Sequence, residues 1–455
     1  MEGCMGLAVV RSRAQRGLDA PPVDVEVHLS GGLPVFSIVG LPEAAVRESK
    51  DRVRAALKTC GFEFPQRRIT VNLAPADLPK EGGGFDLPIA IGILAASNQA
   101  PAENLPDCEF LGELSLGGDL RPVSGALSAA LAVARDGRTL ILPMDSCKEA
   151  TLVSDLRALG ADHLSAVCGY LFGKEELTRP SPLQGGSTAS GADLVDVRGQ
   201  AAARRALEIA AAGVHDLLMI GPPGTGKTML AQRLPGLLPG LTDDEALEVA
   251  VIASVASGRF DTRLWKKRPF RQPHHTASDV ALTGGGVRPR PGEISLAHRG
   301  TLFLDELPQF SRRALEALRQ PLENRAITVS RAAGSLTFPA DFQLVAAMNP
   351  CPCGYLGDPR QNCSCTPDRI RSYLARLSGP LMDRLDLLVD VQRPKTSDLL
   401  DPVVGEESSR EVARRVQLAR RVQAERGALN SRLPAGGLIG ACSTSRQSLA
   451  LLRKA

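Results

Sequence analysis

The chain has 455 residues, 43% of them apolar, which is enough for two or three domains with a sizeable buried core. Its 54 Lys/Arg and 50 Asp/Glu leave a net charge of +4, too small to mark a polyanion-binding protein by itself. A transmembrane helix is excluded because there is no apolar run of about 18 residues, and with 4% aromatic residues a base-stacking platform for single strands is disfavoured.

Residues 1–172 alternate short β-rich runs with helical stretches. Leu7 to Val10 reads as a first strand, and Val23-Asp-Val-Glu-Val-His28 alternates like a half-buried one. Pro42 to Thr59 repeats apolar residues at helical spacing, Arg68 to Leu73 predicts another strand, and Ser124 to Arg135 another helix. Pro180 to Gly191 is rich in Pro, Gly and Ser without periodicity, so 173–192 is assigned as a linker. From Asp193 a helix over Ala201–Ala212 leads to the strand Leu217-Leu-Met-Ile220 and a glycine-rich turn, the start of an α/β nucleotide domain placed at 193–395. Residues 396–455 are helical and polar and read as part of a helical lid. The N-terminus lacks a charged-then-apolar signal pattern, so the expected location is the cytoplasm, with no membrane partner. The ten cysteines are then reduced thiols or metal ligands.

The turn Gly221-Pro222-Pro223-Gly224-Thr225-Gly226-Lys227-Thr228 fits the phosphate-binding pattern G-x-x-x-x-G-K-[ST] between a strand and a helix. Glycines allow backbone N–H groups to face phosphate oxygens, Lys227 supplies a point charge to the β/γ-phosphates, and Thr228 offers a hydroxyl to Mg²⁺. Thr301-Leu-Phe-Leu304 then delivers Asp305 and Glu306 to the end of a strand. In that position Asp305 holds Mg²⁺ through water and Glu306 polarises the attacking water. The strand Phe342 to Met348 ends at Asn349, whose amide can orient the lytic water. Arg384, in Asp383-Arg-Leu-Asp386, lies between a helix and a strand, where it can reach into a neighbour's site as an arginine finger. The alternatives are a nucleotide-free fold and, for Arg384, a structural salt bridge.

The order of these four motifs resembles the AAA+ superfamily, and Arg271-Gln-Pro-His-His-Thr276 through Gly292 to Thr301 is similar to the helix-2 insertion of magnesium-chelatase ATPase subunits and minichromosome maintenance helicases. More narrowly, Val25-Glu-Val-His-Leu-Ser30, Val39-Gly-Leu-Pro-Glu43, Ile69-Thr-Val-Asn-Leu-Ala-Pro-Ala-Asp-Leu-Pro79 and Asn349-Pro-Cys-Pro-Cys-Gly-Tyr355 resemble the YifB/ComM group of magnesium-chelatase-like ATPases. The resemblance implies an ATP- and Mg²⁺-dependent motor, a homo-oligomer forming a hexameric ring. Its implied task is to migrate DNA branches in natural transformation and recombination. A chelatase-type ATPase that remodels a protein partner is the alternative, and a Lon-like protease a more distant one.

The implied fold is an N-terminal Lon-protease-like (ribosomal S5 domain 2-like) α+β domain over 1–172, then the AAA+ core with its insert and a truncated lid. Lon peptidases use a Ser nucleophile with a Lys base. The matching positions here are Gly84 and Leu127, neither of which can attack a carbonyl or move a proton. The domain is therefore expected to be a DNA- or partner-binding collar. The lid pattern begins at Ser445-Arg-Gln-Ser-Leu-Ala-Leu-Leu452, and Arg446 and Arg453 fall too early in it to replace the family's sensor arginine. An incomplete lid and weak turnover are expected from this.

In helicases of this branch, two hairpins per subunit line a central pore. The first corresponds to 281–294, with Arg288 and Arg290 near its tip, and the second to Ala326–Thr337, with Arg331 in place of a pore lysine. From Arg263 to Arg331, 13 Lys/Arg stand against 6 Asp/Glu, a local basic excess that suits phosphate contact. Solvated surface arginines are the alternative. His274 and His275 are assigned to the same insert. Finally, Cys351-Pro-Cys353 and Cys363-Ser-Cys365 flank a nine-residue loop. Four thiolates so placed can close a tetrahedral Zn²⁺ site, although the spacing departs from the usual C-x₂-C knuckle and leaves unliganded thiols as the other reading.

Overall fold

Alternation decides the first layer. In the computed structural model, which describes residues 6–181, 192–286, 289–331, 334–394, 407–442 and 445–452, strands β1 (Leu7–Arg13), β2 (Pro22–Ser30), β3 (Phe36–Val39) and β4 (Arg68–Ala74) bury every second residue. Val23, Val25, Val27 and Leu29 of β2 and Ile69, Val71 and Leu73 of β4 point to one face, as a two-residue period requires. That face packs on the helix Asp86–Ala96, all of whose residues are buried. Five further strands follow: β5 (Cys108–Phe110), β6 (Glu113–Leu114), β7 (Leu120–Arg121), β8 (Thr139–Pro143) and β9 (Arg157–Ala161). The seven-stranded sheet runs β3-β4-β2-β1-β5-β8-β9, and β6 pairs with β7 apart from it. The expected helix over Pro42–Thr59 is divided into Ala44–Arg47 and Ser49–Thr59.

The second sheet holds β10 (Leu217–Ile220), β11 (Phe270–Arg271), β14 (Thr301–Leu304), β17 (Gln343–Met348) and β18 (Leu387–Asp390) in the order β11-β14-β17-β10-β18. All of its pairings are parallel. Every residue of β14 and β17 is buried, the pattern of strands covered on both faces. Two hairpins interrupt this core: β12 (Gly284–Gly285) with β13 (Arg290–Pro291), and β15 (Ala326–Arg331) with β16 (Gly334–Pro339). The helix Ser409–Arg426, begun by a capping box of Ser408 and Glu411, lays Val412 and Val416 on the helix Ala201–Gly213. None of the described helices is long and apolar enough to cross a membrane.

The two sheets are joined by a shared apolar cluster. Leu127, Ala130, Val133 and Cys147 of the first half pack with Ala250, Val251, Val255 and Phe260 on and beyond the helix Asp243–Ser257. One carboxylate lies in this seam. Glu149 is 3% exposed, and its Oε2 accepts hydrogen bonds from Ser254 Oγ at 3.2 Å and Phe260 N at 3.0 Å. Its Oε1 has no partner among the described residues. Burial raises its pKa, only partly opposed by these two donors. A carboxyl so shifted contributes stability that is present below the ordinary carboxylate range and lost as pH rises through the folded-state value.

Glu149→Gln is therefore expected to keep or raise the melting temperature at neutral pH and to flatten its decline with rising pH. Glu149→Ala, which strands both donors, should cost about 1–3 kcal/mol in denaturant titration.

Candidate nucleotide site

Parallel pairing places the C-terminal ends of β10, β14 and β17 side by side, where open α/β sheets bind their ligands. The loop after β10 turns through Gly224 and Gly226, both at positive φ (76° and 87°), conformations that cost glycine nothing. Thr225 Oγ1 donates to Pro222 O at 3.0 Å and so tightens the same turn. Gln200 supports it from below: its Nε2 donates to Thr225 O at 3.2 Å and to Gln392 O, just beyond β18, at 2.5 Å.

Lys227 is 8% exposed and folded back onto this loop, donating to Gly221 O at 2.7 Å and Pro222 O at 2.9 Å. Its ammonium also reaches Asn349 Oδ1 at 3.2 Å. Burial pushes its pKa below the usual lysine value, opposed by the Asp305 and Glu306 carboxylates. A buried ammonium satisfied mainly by carbonyl oxygens is poised to exchange them for phosphate oxygens, which carry the charge that carbonyls lack.

Thr228 Oγ1 donates to Asp305 Oδ2 at 2.7 Å, and Asp305 Oδ1 accepts the Glu306 backbone N–H at 2.9 Å. Thr228 and Asp305 thus offer a hydroxyl and a carboxylate side by side, the oxygen donors a hard Mg²⁺ ion prefers. Glu306 has left-handed backbone angles (φ 54°, ψ 47°), a strain of about 1–3 kcal/mol for a non-glycine residue, found where a side chain must be aimed. Its Oε2 lies 3.5 Å from His275 Nδ1.

The insert folds back so that His275 meets the carboxylate after β14, while His274 Nδ1 pairs with Thr276 Oγ1 at 2.7 Å. The long separation of His275 and Glu306 in the chain hid this contact, and Gln200 escaped notice for the same reason.

The remaining residues are distributed as follows. Arg384 is half-exposed and pairs with Glu323 at 2.5 Å, within its own chain. Arg290 is exposed on β13, and its charge acts on Glu81 of the first half. Pro289, Arg290, Ser335 and Leu336 line a cleft of about 690 Å³ together with Glu43, Asp77 and Glu81. Ser335 and Leu336, close to the turn of the second hairpin, thus rest on the N-terminal half. Arg288, Arg453 and the side chains of Arg331 and Arg446 lie outside the described residues. Gly84 abuts Leu111 and Val123, which share an apolar cluster with the buried Leu127. Cys351, Cys353, Cys363 and Cys365 converge beside Asn349.

The family model described as magnesium chelatase, subunit ChlI, matches residues 193–399, and that described as subunit ChlI of Mg-chelatase matches 25–146. The chain is 53% identical over 423 residues to protein YifB of Escherichia coli (strain K12), covering 93% of this chain and 83% of that protein. It is 50% identical over 457 residues to competence protein ComM of Haemophilus influenzae, covering 99% of this chain and 89% of ComM. The YifB of Salmonella typhimurium is 52% identical over 431 residues, covering 94% and 85%. The chain belongs to the YifB/ComM family of magnesium-chelatase-like AAA+ ATPases. Membership implies ATP with Mg²⁺ as the ligands of the β10–β14–β17 site.

Lys227→Ala should abolish ATP binding measured by calorimetry. Glu306→Gln should retain it while turnover falls roughly 10²- to 10⁴-fold, the usual contribution of a positioned general base. Near-normal turnover in Glu306→Gln would remove that carboxylate from the chemistry.

Proposed function

We propose that this protein is a ring-forming, ATP-driven motor that moves branched DNA during uptake and recombination of foreign DNA, and that a Zn²⁺ ion sits on its four convergent thiols. The observation that carries the motor reading is the pair of hairpins, β12–β13 and β15–β16, inserted around the β14 carboxylates. Movement on DNA needs an element that grips phosphates without reading sequence, and hairpins carrying Arg288, Arg290 and Arg331 supply one. A relative that is 50% identical and named for competence supports the biological setting.

Six copies in a ring complete the proposal. Lys227, Asp305, Glu306 and Asn349 come from one chain, whereas Arg384 pairs with Glu323 on a half-exposed surface. On assembly the guanidinium exchanges Glu323 for the γ-phosphate of the neighbouring subunit, where an arginine finger stabilises the charge developing in the transition state. Glu306 polarises the attacking water and Asn349 orients it. The N-terminal half lacks the Ser–Lys pair of a peptidase and serves as a collar, with the second hairpin resting on it.

The test is an ATPase and branch-migration assay of the full chain with four-way, forked and linear DNA. DNA stimulation with branch movement supports the motor; ATPase indifferent to all three points to a protein-remodelling relative of the chelatases. Arg384→Ala alone should lose about 10³-fold in turnover. Mixed with the Lys227→Ala protein it should recover part of that, because one kind of mixed interface keeps both groups. Confirmed mixed rings without recovery would overturn a finger acting between subunits.

Arg331→Ala should leave ATP binding unchanged and weaken DNA binding equally for all sequences, lowering the salt slope by about one unit per phosphate contact. An unchanged slope and unchanged DNA stimulation would place Arg331 outside the DNA path.

A further inference from the structure

Between Met348 at the end of β17 and Pro367 at the start of the next helix, the chain forms neither helix nor strand. A segment of this length without backbone ladders is held by its side chains or not at all. Its four thiols supply the hold. All four sulfurs lie within 4.8 Å of one another, with Cys351–Cys353 at 3.3 Å and Cys351–Cys363 and Cys353–Cys363 at 3.6 Å. Each is a free thiol. Zn–S bonds of about 2.3 Å place the corners of a tetrahedron about 3.8 Å apart, so these spacings suit four sulfurs around one ion. Soft thiolates select zinc over the magnesium of the neighbouring nucleotide site. Backbone N–H groups of Cys353 and Cys365 reach Cys365 Sγ and Cys363 Sγ, each at 3.4 Å, as the outer shell of a thiolate site should.

The position of this knob gives the metal a task. Cys351 is fully buried two residues after Asn349, the partner of Lys227. Gly354, at φ 88°, presses on the phosphate loop: a Cβ there would stand 2.6 Å from Pro223 Cδ. Arg393, just past β18, donates to Asp358 at 2.9 Å and lies 6.0 Å from the Tyr355 ring centroid. The Asn349 backbone N–H bonds to the Tyr373 hydroxyl from the opposite side. The knob is wedged between the phosphate loop, the sensor amide and the end of β18.

We propose that the four-thiol knob is a zinc-stapled brace of the nucleotide site: Zn²⁺ on Cys351, Cys353, Cys363 and Cys365 fixes Gly354 against Pro223 and holds Asn349 in register with Lys227. The brace rests on the zinc assignment. It makes ATP affinity depend on a metal that touches neither nucleotide nor Mg²⁺.

The full chain, purified without added metal, should carry one zinc per chain by mass spectrometry. Cobalt exchanged into it should give the thiolate charge-transfer and tetrahedral absorption bands of a sulfur site. The Lys227→Ala protein should keep the zinc. Stripping it from the unmodified protein with a strong zinc chelator, or replacing Cys363 and Cys365 by Ser, should weaken ATP binding about tenfold or more, a loss of about 1.4 kcal/mol. Hydrogen exchange should rise over both 349–355 and 221–226, and zinc but not magnesium should reverse the chelator's effect. If no metal co-purifies and cobalt gives no thiolate band, the zinc assignment fails and the brace with it. If zinc is bound and removable while ATP affinity and exchange over 221–226 stay unchanged, the brace fails and the zinc site stands. Should the double variant lose its far-ultraviolet helix signal, the chelation and add-back experiment on the native chain decides alone.

Discussion

Everything in the catalytic half depends on one constraint: three neighbouring parallel strands must end at the same level. The register that pairs Ile220 with Met348 and Leu304 with Ala346 brings the phosphate loop, Asp305 and Asn349 to a common edge. Without it, Lys227 could not span from the loop carbonyls to the Asn349 amide, and Thr228 could not bond Asp305. Parallel strands need crossovers that cover both faces, which is why β14 and β17 are buried throughout, apolar after their first residues Thr301 and Gln343, and carry charged residues only past the strand ends.

The polar groups of the site pair with one another. Lys227 is satisfied by two carbonyls and an amide, Thr228 by Asp305, and Arg384 by Glu323. Around Lys227 and Thr228 these partners can be exchanged for phosphate oxygens or a cation without leaving a donor bare. Buried polar groups must be paired at all times, and such exchange avoids leaving any of them bare. The strained backbone at Glu306 and its contact with His275 link the same edge to the insert.

The N-terminal half enters through packing. The cluster that joins Leu127 and Val133 to Val251 and Val255, with Glu149 bonded across it, ties the N-terminal half to the helix Asp243–Ser257. Gly84 abuts Leu111 and Val123, which join the same cluster. An apolar surrounding there suits a structural role, since a hydroxyl or ammonium would be desolvated without partners.

Local patterns legible in the sequence were those whose physics is local. Two-residue alternation located β2, short β-rich runs located β1 and β4, and the G-x-x-x-x-G-K-T spacing defined the phosphate loop, because glycine conformation and strand pleat act over a few residues. The family followed from the order of those motifs. Tertiary structure alone decided which distant groups meet. His275 reaches Glu306, Gln200 supports Thr225, and Gly354 presses on Pro223, although many residues separate the members of each pair. The four cysteines were visible as two pairs, but only the folding of the loop between them brought their sulfurs within 4.8 Å. Sequence spacing specifies the side chains that are available, whereas their distances depend on chain crossings that no short window contains.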